Sequence, residues 1–198
     1  MEYIAHRINT IEDLNKLPLE YGVEIDLRDD LTGRIYIQHN PYEDGESFED
    51  YLAAYHHGTM ICNVKSERIE YKVRELLENR GISNFFFLDS SFPMIMQLAR
   101  EGEKRVAIRY SEYEGIDTIR KMSGKVEWIW VDCFEQFPLS RSCYDEMKNM
   151  GYKLCLVSPE LQGRPQDIQA YKKICKEQGI VFDAICTKQY NFAEWRDM

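Results

Sequence analysis

Short runs of apolar, β-branched or aromatic residues recur along this chain, and between them lie longer segments whose apolar residues return every three or four positions. The first pattern is that of a strand and the second that of a helix with one buried face. Strands are expected over 2–6, 22–28, 34–39, 59–65, 84–89, 105–110, 126–132, 152–157 and 182–187. Helices are expected over 10–17, 47–55, 66–80, 91–101, 115–123, 139–150 and 165–178. The clearest is 66–80, where Ile69, Val73, Leu76 and Leu77 form one stripe. If 34–39 is the return arm of a hairpin turned by Asp30, Leu31, Thr32 and Gly33, eight strands joined by seven helices remain. That arithmetic describes an α/β chain folded as a small (β/α)8 TIM barrel with a β-hairpin after strand 2. An open doubly wound sheet alternates in the same way. It would carry a glycine-rich phosphate loop after its first strand, where this chain has His6, Arg7, Ile8 and Asn9. No linker, repeat or low-complexity tract interrupts the pattern, so one domain over residues 1–198 is expected, closed by a short helix or tail at 191–195.

The formal charge of −9 without a basic run argues against nucleic-acid binding and against an electrostatic hold on anionic membranes. No apolar run approaches the roughly 20 residues of a membrane span, and the N-terminus does not read as a signal peptide. The six cysteines show no CxxC spacing and read as buried reduced thiols of a cytoplasmic protein. Oligomeric state is left open.

In a barrel, functional side chains gather at the C-terminal ends of the strands. Nearly every expected strand here ends in such a residue: His6 and Arg7, Glu24 and Asp26, Asn63 and Lys65, Asp89, Arg109, Asp132, Ser158 and Glu160, and Thr187 and Lys188. Glu24 and Asp26 lie two apart on one strand, so they share a face. Side by side they repel unless something positive sits between them. A divalent cation held by the pair, with His6 and His39 on the flanks, suits phosphoester cleavage. Asp132 reads either as a ligand at the barrel mouth or as the cap of the next segment. Glu112 and Glu114 read as a solvated loop, with either of them the alternative third ligand of the metal, and His56 with His57 as an exposed helix end. Zinc hydrolase chemistry has no HExxH or His-x-His pair to support it.

In order and placement these residues resemble the glycerophosphodiester phosphodiesterase family, one of the phospholipase-C-like phosphodiesterase barrels. That family opens with a strand ending in His-Arg-Gly and a Glu-Asn-Thr element. Its second strand carries Glu-x-Asp, and a His-Asp follows a short hairpin. Here Ala5-His6-Arg7, Asn9-Thr10 with Glu12, Glu24-Ile25-Asp26 and His39-Asn40 stand in those places. A later Glu-x-Lys appears as Asn63-Val64-Lys65, and a Thr-Asp as Thr187-Lys188. The resemblance is closest over about the first 65 residues and implies a metal-dependent phosphodiester hydrolase. Its Mg²⁺ or Ca²⁺ would be held by Glu24, Asp26 and Asn63, with His6 and His39 as general acid and base. Arg7 and Lys65 would neutralise the substrate phosphate, helped by Arg109 or Lys188. The substrate implied is a small glycerophosphodiester-like or sugar phosphodiester. Attack by water gives hydrolysis, and attack by a neighbouring substrate hydroxyl gives a cyclic phosphate, a lyase reaction. Asn63 and Asn40 stand where the family usually has acids. A non-catalytic barrel that binds a phosphorylated metabolite or a partner protein is the competing expectation.

Overall fold

The structure, a computed structural model, describes residues 1–196. They form two compact units, one of Ile4–Leu98 and one of Met1–Tyr3 with the chain from Ala99 onward.

In the first unit the strands β1 (Glu2–Ala5), β2 (Gly22–Asp29), β5 (Met60–Val64) and β6 (Phe85–Leu88) are parallel neighbours in that order. β2 is longer than β1, and its free C-terminal half pairs antiparallel with β3 (Ile35–Ile37), which pairs in turn with the two-residue β4 (Glu46–Ser47). The expected hairpin is therefore present. Its turn is set by Asp30, whose Oδ1 accepts from the Thr32 amide at 2.8 Å, and by Gly33 at φ 79°. Gly22 opens β2 because a Cβ there would lie 2.5 Å from the Thr59 carbonyl oxygen.

The helices of this unit are α1 (Ile11–Lys16), α2 (Phe48–Ala54), α3 (Glu70–Asn79) and α4 (Phe92–Arg100). Thr10 caps α1 by accepting from the Asp13 amide at 3.0 Å, and Glu12 and Asp13 suit the positive end of the helix. Two expectations change. Residues 46–47 are a strand where a helix start was expected at 47, and α3 begins four residues later than expected. Arg68 takes a left-handed backbone, φ 74°, that no helix can include. His57, expected at an exposed helix end, lies three residues beyond α2 and is half-buried, its Nε2 2.9 Å from the Leu17 carbonyl oxygen.

The second unit repeats the strand–helix rhythm. β7 (Ala107–Tyr110), β8 (Trp128–Val131), β9 (Lys153–Val157) and β10 (Ala184–Thr187) are again parallel neighbours. With them run α5 (Ile116–Met122), α6 (Arg141–Asn149), α7 (Ile168–Gln178) and α8 (Phe192–Trp195). The expected short closing helix is α8, whose Trp195 is fully buried and accepts at its carbonyl from the Tyr3 hydroxyl. The Glu2 amide donates to the Asp183 carbonyl, which ties the start of the chain to this unit. Four parallel strands in each unit make the eight expected from the pattern. Their residues are buried almost throughout, as in Phe85-Phe86-Phe87-Leu88, which follows when helices cover a parallel sheet.

Candidate active site

Of the residues singled out from the sequence, His6, Arg7, Glu24, Asp26, His39, Asn63 and Lys65 lie in the first unit, and the structure brings them together. Glu24 and Asp26 project from the same face of β2, and both are essentially inaccessible to solvent. β5 runs beside them with Asn63 in register with Asp26. Lys65 follows one residue past the end of β5, and His6 and Arg7 follow β1.

The Glu24 carboxylate is held on both oxygens. Oε1 accepts from Asn63 Nδ2 at 2.8 Å, and Oε2 accepts from the Arg7 amide at 2.8 Å, with His6 Nε2 at 3.7 Å. Arg7 aims its amide there from a left-handed backbone, φ 57°. Burial, and next the charge of Asp26, push the Glu24 carboxyl up to about 7 against the opposing pull of those donors. Asp26 goes the other way. Burial would raise it, but the hydrogen bond from Asn9, the adjacent His39 ring and the Lys65 charge together hold it below the usual carboxylate range.

His39 bridges Asp26 and Arg7. Its Nδ1 lies 3.2 Å from Asp26 Oδ1, and its Nε2 lies 2.9 Å from Arg7 Nη2. A guanidinium can only donate, so Nε2 is the acceptor of that hydrogen bond and Nδ1 is the ring nitrogen that faces Asp26. Arg7 Nε is also 3.8 Å from Asp26 Oδ2. Lys65 Nζ completes the ring of charges, 3.6 Å from Asp26 Oδ1 and 3.3 Å from Asp89 Oδ2.

Two residues to which the sequence reading gave no part in the site support it. Asn9 clamps Asp26 at two points, its Nδ2 donating to Oδ2 at 2.9 Å and its Oδ1 accepting from the Asp26 amide at 3.1 Å. Arg28 donates to three carbonyls, those of Gln38 (3.1 Å), His39 (2.7 Å) and Lys65 (3.2 Å), and so holds the backbones of His39 and Lys65 together. The signal for Arg28 was present, since Glu24, Asp26 and Arg28 share one strand face at period two.

Asn63 Oδ1 is buried and accepts no hydrogen bond among the described residues. Two carboxylates beside one uncommitted amide oxygen form an all-oxygen donor set, the chemistry that Mg²⁺ and Ca²⁺ prefer. The residues therefore fit a hard divalent cation. Among the described residues, no group of three or more His, Cys, Asp or Glu is arranged to hold a metal ion.

Arg109, Asp132 and Lys188 lie in the second unit. Arg109 ion-pairs with Asp132, sits 3.7 Å from Glu114 Oε1 and lies over the Phe134 ring. Asp132 Oδ1, on the residue after β8, also accepts from Gln162 Nε2 and from the Cys133 amide. The Lys188 amide and the Thr187 hydroxyl donate to Glu160, which also accepts from the Ser158 hydroxyl. Glu112 accepts from the amides of Phe134, Glu135 and Gln136, which explains why its carboxyl is held low despite the counteracting effect of burial. It closes a loop, as read from the sequence.

Two solved structures share this fold over nearly the whole chain. One is a glycerophosphodiester phosphodiesterase from Agrobacterium tumefaciens str. C58, with a TM-score of 0.69 and 14% identity, covering 94% of this chain and 96% of that one. The other is a glycerophosphoryl diester phosphodiesterase from Parabacteroides distasonis ATCC 8503, with a TM-score of 0.67 and 13% identity, covering 98% of this chain and 85% of that one. No protein-family model and no curated protein matches the chain. At these identities the likeness shows a common fold, in agreement with the resemblance seen in the sequence.

Proposed function

We propose that this chain is a metal-dependent phosphodiester hydrolase acting on a small glycerophosphodiester-like or sugar phosphodiester, with its eight parallel strands arranged as a TIM barrel. The observation that carries this reading is the convergence of two buried carboxylates, two imidazoles and two cations in one unit, on a fold shared with solved phosphodiesterases. Glu24, Asp26 and the Asn63 amide oxygen would hold Mg²⁺ or Ca²⁺, which when bound supplies charge neutralisation for a phosphoryl oxygen.

The remaining chemistry belongs to the side chains. Arg7 is half-exposed and Lys65 partly so, and both can turn to the substrate phosphate. When Arg7 does so it releases His39 Nε2, an unprotonated nitrogen whose ring is held by Asp26. His39 then takes a proton from the attacking water, and His6, beside Glu24, gives one to the leaving alcohol oxygen. An imidazole can accept a proton at one ring nitrogen and donate one from the other, which suits both roles. Within the second unit, Arg109 and Lys188 would offer positive charge to an anion, and Asp132 would orient Arg109. No helix among the described residues is long and apolar enough to cross a membrane. The reading includes a cytoplasmic location, which suits six free cysteines.

A second reading, binding of a phosphorylated ligand without turnover, is favoured by one observation: Asn63 brings an amide where a third acid would strengthen the metal site. Release of nitrophenol from bis(p-nitrophenyl) phosphate separates the two. The hydrolase reading expects release that needs the cation and falls about a hundredfold or more in His6→Ala. Release indifferent to both chelator and His6→Ala overturns it.

A further inference from the structure

The Lys65 ammonium stands between two carboxylates, 3.6 Å from Asp26 Oδ1 and 3.3 Å from Asp89 Oδ2. Asp26 is fully buried, whereas Asp89 is 31% exposed and Lys65 19% exposed. Asp89 is also the residue immediately after β6, with φ 60°. Outside glycine that conformation carries a steric cost, least for Asn and Asp. Four non-glycine residues adopt positive φ among the described residues: Arg7, Tyr42, Arg68 and Asp89. Arg7 and Asp89 both bring a charge to the site from such a backbone, Arg7 to Asp26 and Asp89 to Lys65. Strained backbone is kept where the surrounding structure or a function requires that geometry.

Resting on the reading that Lys65 receives the substrate phosphate, we propose that Asp89 is the positioning residue for Lys65. Its carboxylate draws the ammonium outward, so that the charge stays available to an anion and does not close onto Asp26. With Asp89 neutralised, the ion-pair partner left beside Nζ among the described residues is the buried Asp26, and a closed Lys65–Asp26 pair offers less positive charge to a phosphate.

The sign of the effect distinguishes positioning from the field of the charge alone. An acid beside an anion site repels the anion, so by Coulomb's law alone its removal tightens phosphate binding. Positioning requires the opposite. Asp89→Asn is the test, because asparagine accepts left-handed backbone as readily as aspartate and so keeps the turn. Binding of inorganic phosphate is measured by calorimetry, and KM and kcat with bis(p-nitrophenyl) phosphate. The dissociation constant and KM are expected to rise about two- to fivefold, the range of partly exposed ion pairs, with kcat changing less. In a Lys65→Met background, Asp89→Asn is expected to give no weakening. The proposal is overturned by unchanged or tighter phosphate binding in Asp89→Asn, or by equal weakening with and without Lys65. It is overturned equally by wild-type protein that binds no phosphate. Phosphate binding that depends on both residues, in a protein that releases no nitrophenol, supports the positioning role while removing the hydrolase reading.

Discussion

Replacing Glu24 by glutamine separates the catalytic value of this carboxylate from its cost to the fold. The ordinary value for the group is 4.5, and burial beside Asp26 raises it to about 7 in the folded chain. An acid raised in this way keeps its proton in the folded state over an interval where the unfolded chain has already released it. Its contribution to stability is therefore whole below about pH 4.5 and is lost as the pH rises to about 7. At about 1.4 kcal/mol for each pH step, the loss is about 3 kcal/mol. Glu24→Gln removes that titration. The new amide can accept from the Arg7 amide, and a turned Asn63 side chain can offer its Oδ1, which now accepts nothing, to the new donor. Urea unfolding with chelator present, at about pH 5 and about pH 8, reads the difference between variant and wild type. The advantage of the variant is expected to grow by most of that 3 kcal/mol between the two conditions, while diester hydrolysis falls at both. A difference independent of pH would refute the reasoning, because it would mean that Glu24 is ionised in the folded chain throughout.

Arg28→Met removes three charge-assisted hydrogen bonds to partly exposed carbonyls, and unfolding free energy is expected to fall by about 2–3 kcal/mol together with kcat. Arg28→Lys should not restore activity, since one ammonium cannot span three carbonyls as the guanidinium fork does. Unchanged kcat in either variant would remove Arg28 from the support of His39 and Lys65. Asn63→Asp places a third acid beside Asp26 and should tighten Mg²⁺ or Ca²⁺ binding by calorimetry. With chelator present it should cost about 1–3 kcal/mol, because a donor to Glu24 is lost. Equal cation affinity would take position 63 out of the ligand set. Glu70, the first residue of α3, is fully buried, and neither carboxylate oxygen has a hydrogen-bond partner among the described residues. Glu70→Met should raise stability by about 1–2 kcal/mol, the unpaired carboxylate costing more than the helix dipole returns. A lower urea midpoint would contradict this.

The strand and helix order was legible because burial on one face imposes a period of two or of about 3.6 on residues that are neighbours in the chain. That pattern located β2 and its inward pair Glu24 and Asp26, the hairpin arm that ends near His39, and the strand that carries Asn63 toward Lys65. It missed β4, whose two residues are too few to show a period, and it began α3 too early because nothing in Arg68 announces a left-handed turn. Partners were less legible than positions. The Asn9 clamp on Asp26, the three carbonyls gathered by Arg28, and the Asp89 carboxylate beside Lys65 each join segments 10 to 37 residues apart. Periodicity determines which face a side chain takes, since that depends on its own strand alone. The charge it meets there depends on which strand lies alongside and in what register, and only the folded chain decides that. Asn63 shows both sides of this division. Its identity and inward face were written in the chain, while the tertiary structure turned its amide to Glu24 and left its oxygen buried without a partner.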